Sequence, residues 1–137
     1  VNVEVAGLQD GEYSLKGVET RFALERKSVP DLVASVTRER ERFERELTTL
    51  RGFDLAAIVV EGAMQEVAQG LYRSKANPDA VLQTLAAYQV RYKVPTLWAG
   101  SRVGAAYTVR ALARHYLRHA QRTAEAILKA HGEEVFA

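Results

Sequence analysis

The sequence predicts one α/β domain in which helices cover both faces of a central sheet. Two observations lead to this prediction. Strand-like segments fill the first 27 residues, and after them helical segments alternate with short apolar strands. The longest apolar run lacks any polar alternation, which is typical of a strand buried on both faces. A chain of 137 residues is long enough to bury a core of this kind.

The N-terminal part is predicted to form three strands. Residues 1–5, VNVEV, alternate apolar and polar side chains, and the turn-rich AGLQDG follows them. The segments EYSL (12–15) and TRFALERK (20–27) are predicted to pair as a hairpin. Gly17, in the intervening KGVE, can adopt the positive φ that a hairpin turn requires.

The period changes to a helical one at Ser28. Pro30 suits the first turn of a helix, and Ser28 with Asp31 has the spacing of a capping box. Apolar residues then recur every three or four positions with one gap, which predicts a helix over 29–50. These residues are Leu32, Val36, Phe43 and Leu47.

The rest of the chain alternates strands and helices. The apolar run LAAIVVEG predicts a strand buried on both faces, and PTLWAG a second, shorter one. In chain order we expect a strand over 55–62, a partly helical segment and loop over 63–77, a helix over 78–94, a strand over 95–100 and a final helix over 101–130 closed by Gly132.

Composition excludes several classes of protein. Cysteine is absent, so disulfides, thiolate catalysis and thiolate metal sites are excluded. No apolar run approaches the length of a membrane span, and we expect a cytoplasmic protein.

The net charge is only +2, but no acidic residue lies between Asp79 and Glu125. Seven basic residues fall in that interval, four of them spaced every fourth position along the last helix. This stripe is either a phosphate-facing surface or a solvated helix face, and both interpretations stay open. Its members are Arg110, Arg114, Arg118 and Arg122.

The segment FALERK ends a strand with three consecutive charges. Side chains two apart share a face of a strand, so Glu25 and Lys27 point one way and Arg26 the other. Glu12 on the neighbouring strand is placed to reach the same point. Two carboxylates and a lysine are the groups that a metal-assisted phosphodiesterase uses, although Glu-x-Lys also occurs as a simple ion pair on exposed strands.

A longer pattern resembles the nuclease domain of the XPF family of structure-specific DNA endonucleases, and is most similar to its compact bacterial and prophage-encoded members. The family signature is Gly-Asp-Tyr, then Glu-Arg-Lys, three residues and Asp. Gly11, Glu12 and Tyr13 match the first part, and the second part is matched by Glu25, Arg26, Lys27 and Asp31. IVVEG and VPTLWAG resemble later strands of the family, so the resemblance covers nearly the whole chain.

The resemblance implies a restriction-endonuclease-like fold with a Mg²⁺ or Mn²⁺ site. It implies Glu12, Glu25 and the backbone carbonyl of Arg26 as metal ligands. Lys27 would orient the attacking water or stabilise the charged transition state. The remaining implied residues, which would orient the cluster or the scissile phosphate, are Asp31 and Arg40. Asp31 also has the alternative role of capping helix amides.

The chain departs from the family pattern in two places. Glu12 stands where the family has aspartate, and the extra methylene displaces the carboxylate by about a bond length, which bears on the geometry-sensitive magnesium. The family's first strand carries an Asp followed by Arg-Glu that has no counterpart here, and Asp10 fits a turn better. We therefore expect a single nuclease domain over 1–137 that lacks this first strand upstream of Val1.

The expected function is metal-dependent cleavage of DNA at branched or flapped structures, in DNA repair or recombination. The alternatives are a DNA-binding or partner-binding module with a weakened site, and a junction resolvase or restriction-type nuclease with the same fold. Arg73 and Lys75 lie in a predicted loop. Together with Arg40 they are the candidate DNA-binding residues. A homodimer through the late helices, using Val103 and Tyr107, or a protein partner is also expected.

Overall fold

The computed structural model describes the backbone of residues 5–9 and 11–132 and the side chains of residues 11–132. The first four positions of the predicted N-terminal strand, and the turn role predicted for Asp10, lie outside these residues. In order, the elements are β1 (Val5–Gln9), β2 (Glu12–Leu15), β3 (Phe22–Lys27), α1 (Val29–Val36), α2 (Arg40–Leu50), β4 (Leu55–Val60), α3 (Met64–Ala68), α4 (Pro78–Tyr92), β5 (Thr96–Trp98) and α5 (Arg102–His131).

The five strands form one mixed sheet in the order β1-β2-β3-β4-β5. The first three strands are antiparallel, whereas β3, β4 and β5 are parallel. Parallel neighbours require crossover connections, which α1 with α2 and α3 with α4 supply. The predicted α/β architecture with helices on both faces is confirmed.

The strand β4 divides the core into two layers. Its alternate side chains pack against α1 to α4 on one face and against α5 on the other, and five of its six residues are buried. This explains the continuous apolar run, because neither face of the strand reaches water. On the α5 side, the Tyr116 hydroxyl donates a hydrogen bond to Asp54 (3.0 Å), which also pairs with Arg21.

One predicted turn is part of a strand in the structure. The segment AGLQDG was predicted as turn, but Ala6, Gly7 and Gln9 pair with β2, with a register shift between Gly7 and Gln9. Here cross-strand pairing overrides the low strand propensity of the segment. Val5, the last residue of the predicted N-terminal strand, is the first described residue of β1.

The helix predicted over 29–50 is two helices. Thr37 ends α1: its hydroxyl donates to the Val33 carbonyl (2.7 Å), and the amides of Thr37 and Glu39 both turn back to Ala34. The break falls in the single gap of the apolar pattern, where no buried side chain requires the helix to continue.

The last helix, α5, confirms its prediction. Ser101 caps it through a hydrogen bond accepted from the Gly104 amide, and Gly132 ends it. Its first half packs on the sheet, but the side chains of residues 118–132 are all exposed. Among the described helices, none is long and apolar enough to cross a membrane.

Gly11 lies directly before β2, at a point of close backbone approach. Its φ is +83°, and a Cβ there would lie 2.6 Å from the carbonyl oxygen of Arg26, whose amide donates to the Gly11 carbonyl (2.7 Å). Gly17, in the β2–β3 turn, has φ +90°, but a Cβ at that position would meet nothing within 4 Å beyond its chain neighbours. The two glycines therefore share the same conformational requirement and differ in the space around them.

We expect Gly11→Ala to lower the free energy of unfolding more than Gly17→Ala does. Each substitution costs about 1 kcal/mol for the positive φ, and at Gly11 the collision with the Arg26 carbonyl adds about 1–3 kcal/mol. Urea unfolding followed by circular dichroism measures both. Equal losses in the two variants would contradict the close approach.

Candidate metal and catalytic site

The register of β2 and β3 creates the site. Glu12 lies directly opposite Glu25 in the antiparallel pair. Side chains of directly opposed residues lie on the same face of the sheet with their Cβ atoms about 5 Å apart. The two carboxylates that the sequence predicted to converge are therefore brought together, on the face covered by α1 to α4.

Lys27 follows on the same face of β3. Its Nζ lies 2.9 Å from Oε1 of Glu25, and the two side chains are only 13% and 14% exposed. The ammonium also lies 5.3 Å from the ring centroid of Phe43 on α2. A lysine held by a carboxylate and an aromatic face keeps its charge at a fixed place beside the acidic group.

The third acidic side chain is Glu46, from α2. One carboxylate oxygen from each of Glu12, Glu25 and Glu46 can be chosen so that all three lie within 4.8 Å of one another. No other group of three or more potential metal-ligating side chains occurs among the described residues. Glu46 was not among the residues predicted from the sequence.

A signal for Glu46 was present in the helical periodicity. Phe43 and Leu47 on α2 are buried, and Glu46 stands three residues after one and directly before the other. This spacing places it at the border of the buried face of the helix, so it does not belong with the fully solvated charges around it.

Burial raises the pKa of Glu46 to about 7, and the negative charge of Glu25 and a hydrogen bond to that carboxyl act in the same direction. Lys27 and Arg42 lower the pKa but do not balance these effects. Lys27 pairs with Glu25, and Arg42 reaches Glu46 only at 3.8 Å, so the three carboxylates stay under-neutralised, which is the electrostatic condition that favours a bound cation.

The donor set fits a hard divalent cation. Carboxylate oxygens are the ligands that Mg²⁺ and Mn²⁺ prefer, and metal–oxygen distances of about 2.0–2.6 Å allow one ion to bridge oxygens roughly 4–5 Å apart. Glu12 reaches this cluster in spite of the methylene by which it exceeds the family's aspartate.

Arg26 projects to the opposite face of the sheet. Its Nε donates to Oε1 of Glu61 (2.9 Å) and its guanidinium contacts the hydroxyl of Tyr13 (3.2 Å). Arg102, at the start of α5, approaches the other oxygen of Glu61 (3.5 Å). The side chain of Arg26 thus links Tyr13 of β2 to Glu61, which directly follows β4. Its backbone carbonyl lies against Gly11, the residue before Glu12.

Asp31 lies outside the acidic cluster. It is exposed in the first turn of α1, where its amide donates to Ser28 Oγ (3.2 Å) and its carbonyl accepts a bond from Ser35. Ser28, and not Asp31, is therefore the N-cap of the helix.

Arg40 also lies away from the three carboxylates. It is exposed at the start of α2, pairs with Glu44 (3.4 Å) and sits 5.7 Å from the ring centroid of Tyr88. The Tyr88 hydroxyl donates to the same Glu44 oxygen at 2.7 Å, and burial together with that bond raises the pKa of Tyr88 to about 12. Arg73 and Lys75 are exposed between α3 and α4, as predicted for a loop.

Most of the chain matches one known family. Residues 1–112 match the family described as ERCC4 domain. The chain belongs to the ERCC4 domain family. This confirms the XPF-family resemblance and identifies a nuclease-family domain, while the predicted link to compact bacterial or prophage members stays a prediction.

A solved structure, XPF from Aeropyrum pernix, is similar to the chain with a TM-score of 0.63 and 23% sequence identity. The similarity covers 93% of this chain and 61% of the Aeropyrum chain, so this chain spans less than two thirds of that protein. It confirms the predicted restriction-endonuclease-like fold. A search among curated proteins found no match.

The raised pKa of Glu46 predicts a pH-dependent stability. Between about pH 4.5 and pH 7 the folded state holds a proton that the unfolded chain has released, so the free energy of unfolding falls as pH rises through this interval. We expect Glu46→Gln to be more stable than wild type by on the order of 1–2 kcal/mol at about pH 8, and to lose this advantage near pH 4.5. Urea unfolding in EDTA measures the difference.

The matched control is Glu41→Gln, an exposed glutamate of the same helix that lies outside the cluster. It should change stability by less than about 0.5 kcal/mol at either pH. A gain for Glu46→Gln that is equal at both pH values would contradict the charge repulsion.

Proposed function

We propose that this chain is a divalent-metal-dependent DNA endonuclease domain that hydrolyses phosphodiester bonds at branched or flapped DNA. The observation that carries this proposal is the convergence of Glu12, Glu25 and Glu46 beside Lys27 at the paired ends of β2 and β3. Membership of the ERCC4 domain family supports a nuclease, and the acidic cluster supports a metal cofactor.

The three carboxylates are the groups we propose as metal ligands, with the Arg26 carbonyl as a further candidate beside them. A bound Mg²⁺ or Mn²⁺ supplies charge neutralisation at the scissile phosphate and lowers the pKa of a coordinated water. Glu25 serves two groups at once, because it also fixes the ammonium of Lys27 at 2.9 Å.

Lys27 has the geometry of an orienting and charge-stabilising group. Its ammonium can donate three hydrogen bonds, one of which Glu25 accepts, and the rest are free to orient a water or to contact a phosphate oxygen. A fixed positive charge stabilises the negative charge that develops on the phosphate in the transition state, most strongly where little water is present. This lowers the barrier to hydrolysis. Asp31 and Arg40 remain proposals for contacts with DNA at greater distance from the metal.

The proposal predicts cleavage that depends on one carboxylate and one amine. Wild-type protein with Mn²⁺ or Mg²⁺ should cut flapped or branched DNA, and Glu25→Gln and Lys27→Ala should each reduce the rate at least about 100-fold. Glu41→Gln, outside the cluster, should retain wild-type activity. Gel electrophoresis of labelled substrates measures the rates, and intact DNA with both metals would contradict the proposal.

The second candidate, a DNA-binding or partner-binding module with a weakened site, is favoured by glutamate in place of the family's aspartate at position 12. Calorimetric titration with Mn²⁺ separates the two. A working site should bind Mn²⁺ in wild type and lose that binding in Glu25→Gln, whereas a decayed site should show no binding that the substitution removes.

The late helices are proposed to form a homodimer. Val103 and Tyr107, one helical turn apart at the start of α5, are 81% and 74% exposed. Apolar side chains this exposed are typical of a surface that a second copy covers. We expect a dimer by sedimentation, and we expect Val103→Ser with Tyr107→Ser to shift it to monomer. A wild-type monomer at high concentration would contradict this.

A further inference from the structure

We propose that the cleft between α1 and residues 71–74, here called the α1 cleft, holds the backbone of a single DNA strand leading away from the metal site. This inference rests on the proposed nuclease function. It assigns a substrate grip to residues that lie outside the acidic cluster.

The α1 cleft has a defined shape and a volume of about 470 Å³. One wall comes from α1 and the residues after it, and the other from the loop that follows α3. The lining residues are Pro30, Val33, Ala34, Thr37, Arg38, Leu71, Tyr72, Arg73 and Ser74.

The loop wall is held by its own hydrogen bonds. The Tyr72 hydroxyl donates to the Ala76 carbonyl (2.7 Å), and the Ala76 amide donates to Ser74 Oγ (3.1 Å). The opposite wall is a regular helix. Two walls that are already fixed lower the entropic cost of binding a ligand between them.

The charge of the α1 cleft is positive. Arg38 and Arg73 line it and Lys75 follows on the same loop, all three are exposed, and none forms an ion pair with a described acidic side chain. Arg26, by contrast, forms an ion pair with Glu61. Asp31 is on α1 but does not line the cleft. Unpaired cations are free to contact phosphate groups.

The floor is apolar, which favours a nucleotide over an isolated anion. Val33 and Ala34 are buried beneath the cleft, and Leu71 is 61% exposed at its edge. Sugars and bases can pack on the exposed Leu71 and Pro30 while the guanidinium groups pair with phosphates. The volume is that of a small-molecule site, so it accommodates a nucleotide or two of a single strand and not a duplex.

The position of the α1 cleft connects it to the metal site. Pro30, at one end, is three residues after Lys27, and α1 extends from there for eight residues, or about 12 Å. The cavity beside the carboxylates is lined by four glutamates and repels phosphate when no cation is bound. Those glutamates are Glu12, Glu19, Glu25 and Glu46. Binding energy for the strand must therefore come from neighbouring cationic surface, which the α1 cleft provides.

Fluorescence anisotropy with a labelled 15-nucleotide oligo-dT tests the proposal in EDTA, where cleavage does not occur. We expect Arg38→Ala with Arg73→Ala to weaken binding about tenfold and to reduce the slope of log affinity against log salt by about 1.4, the value for two lost phosphate contacts. Binding of a 15-base-pair duplex should change less.

The control is Lys16→Ala with Arg51→Ala, which removes two exposed positive charges at the other end of the sheet, beside the start of β3 and the start of β4. It should change oligo-dT affinity less than twofold. The proposal is overturned if wild type does not bind oligo-dT, if the control loses as much affinity as the cleft variant, or if the duplex loses as much as the single strand.

Failure of this inference is distinguishable from failure of the proposed function. Wild-type cleavage with Mn²⁺ alongside unchanged oligo-dT binding by the cleft variant rejects the α1 cleft and keeps the nuclease. Absence of cleavage with both metals, together with selective loss of oligo-dT binding, rejects the nuclease and keeps a single-strand binding site.

Discussion

The antiparallel register of β2 on β3 is the constraint on which the site depends. It places Glu12 opposite Glu25, and it requires the backbone of Gly11 to approach the Arg26 carbonyl more closely than any residue with a Cβ allows. A slip of one residue would turn Glu25 and Lys27 to the α5 face and leave Glu12 alone. The glycine at position 11 therefore supports the candidate site indirectly, since the register that brings the carboxylates together needs a residue without a Cβ there.

The cluster of Glu12, Glu25 and Glu46 carries more negative charge than its neighbouring basic side chains neutralise. Lys27 pairs with one carboxylate, but Glu46 comes from a different element and adds a third, and burial together with the charge of Glu25 raises its pKa to about 7. A protein that needed only stability would gain nothing from placing two partly buried carboxylates next to a third. The proposed divalent cation would relieve this repulsion.

Sequence reasoning succeeded where local pattern determines structure. The period of two along FALERK separates Glu25 and Lys27 from Arg26, and the apolar run before Glu61 predicts a strand covered on both faces; the structure agrees with both. It failed where distant contacts decide. The strand Val5–Gln9 forms because β2 offers an edge to pair with, and Glu46 joins the cluster because α2 packs beside Glu25 and Lys27. Neither pairing partner can be identified from the residues around it.

The three consecutive charges at the end of β3 have different functions on the two faces of the sheet. Glu25 and Lys27 lie on the α2 face, where they form the candidate site. Arg26 lies on the α5 face, where Glu61 accepts its hydrogen bond and also attracts Arg102 of α5. Both groups of side chains stand at the same end of β3. The Arg26–Glu61 ion pair on the α5 face therefore helps to fix the strand end whose other face carries Glu25 and Lys27. The alternation of charges along β3 thus places the candidate site on one face of the sheet and the Arg26–Glu61 ion pair on the other.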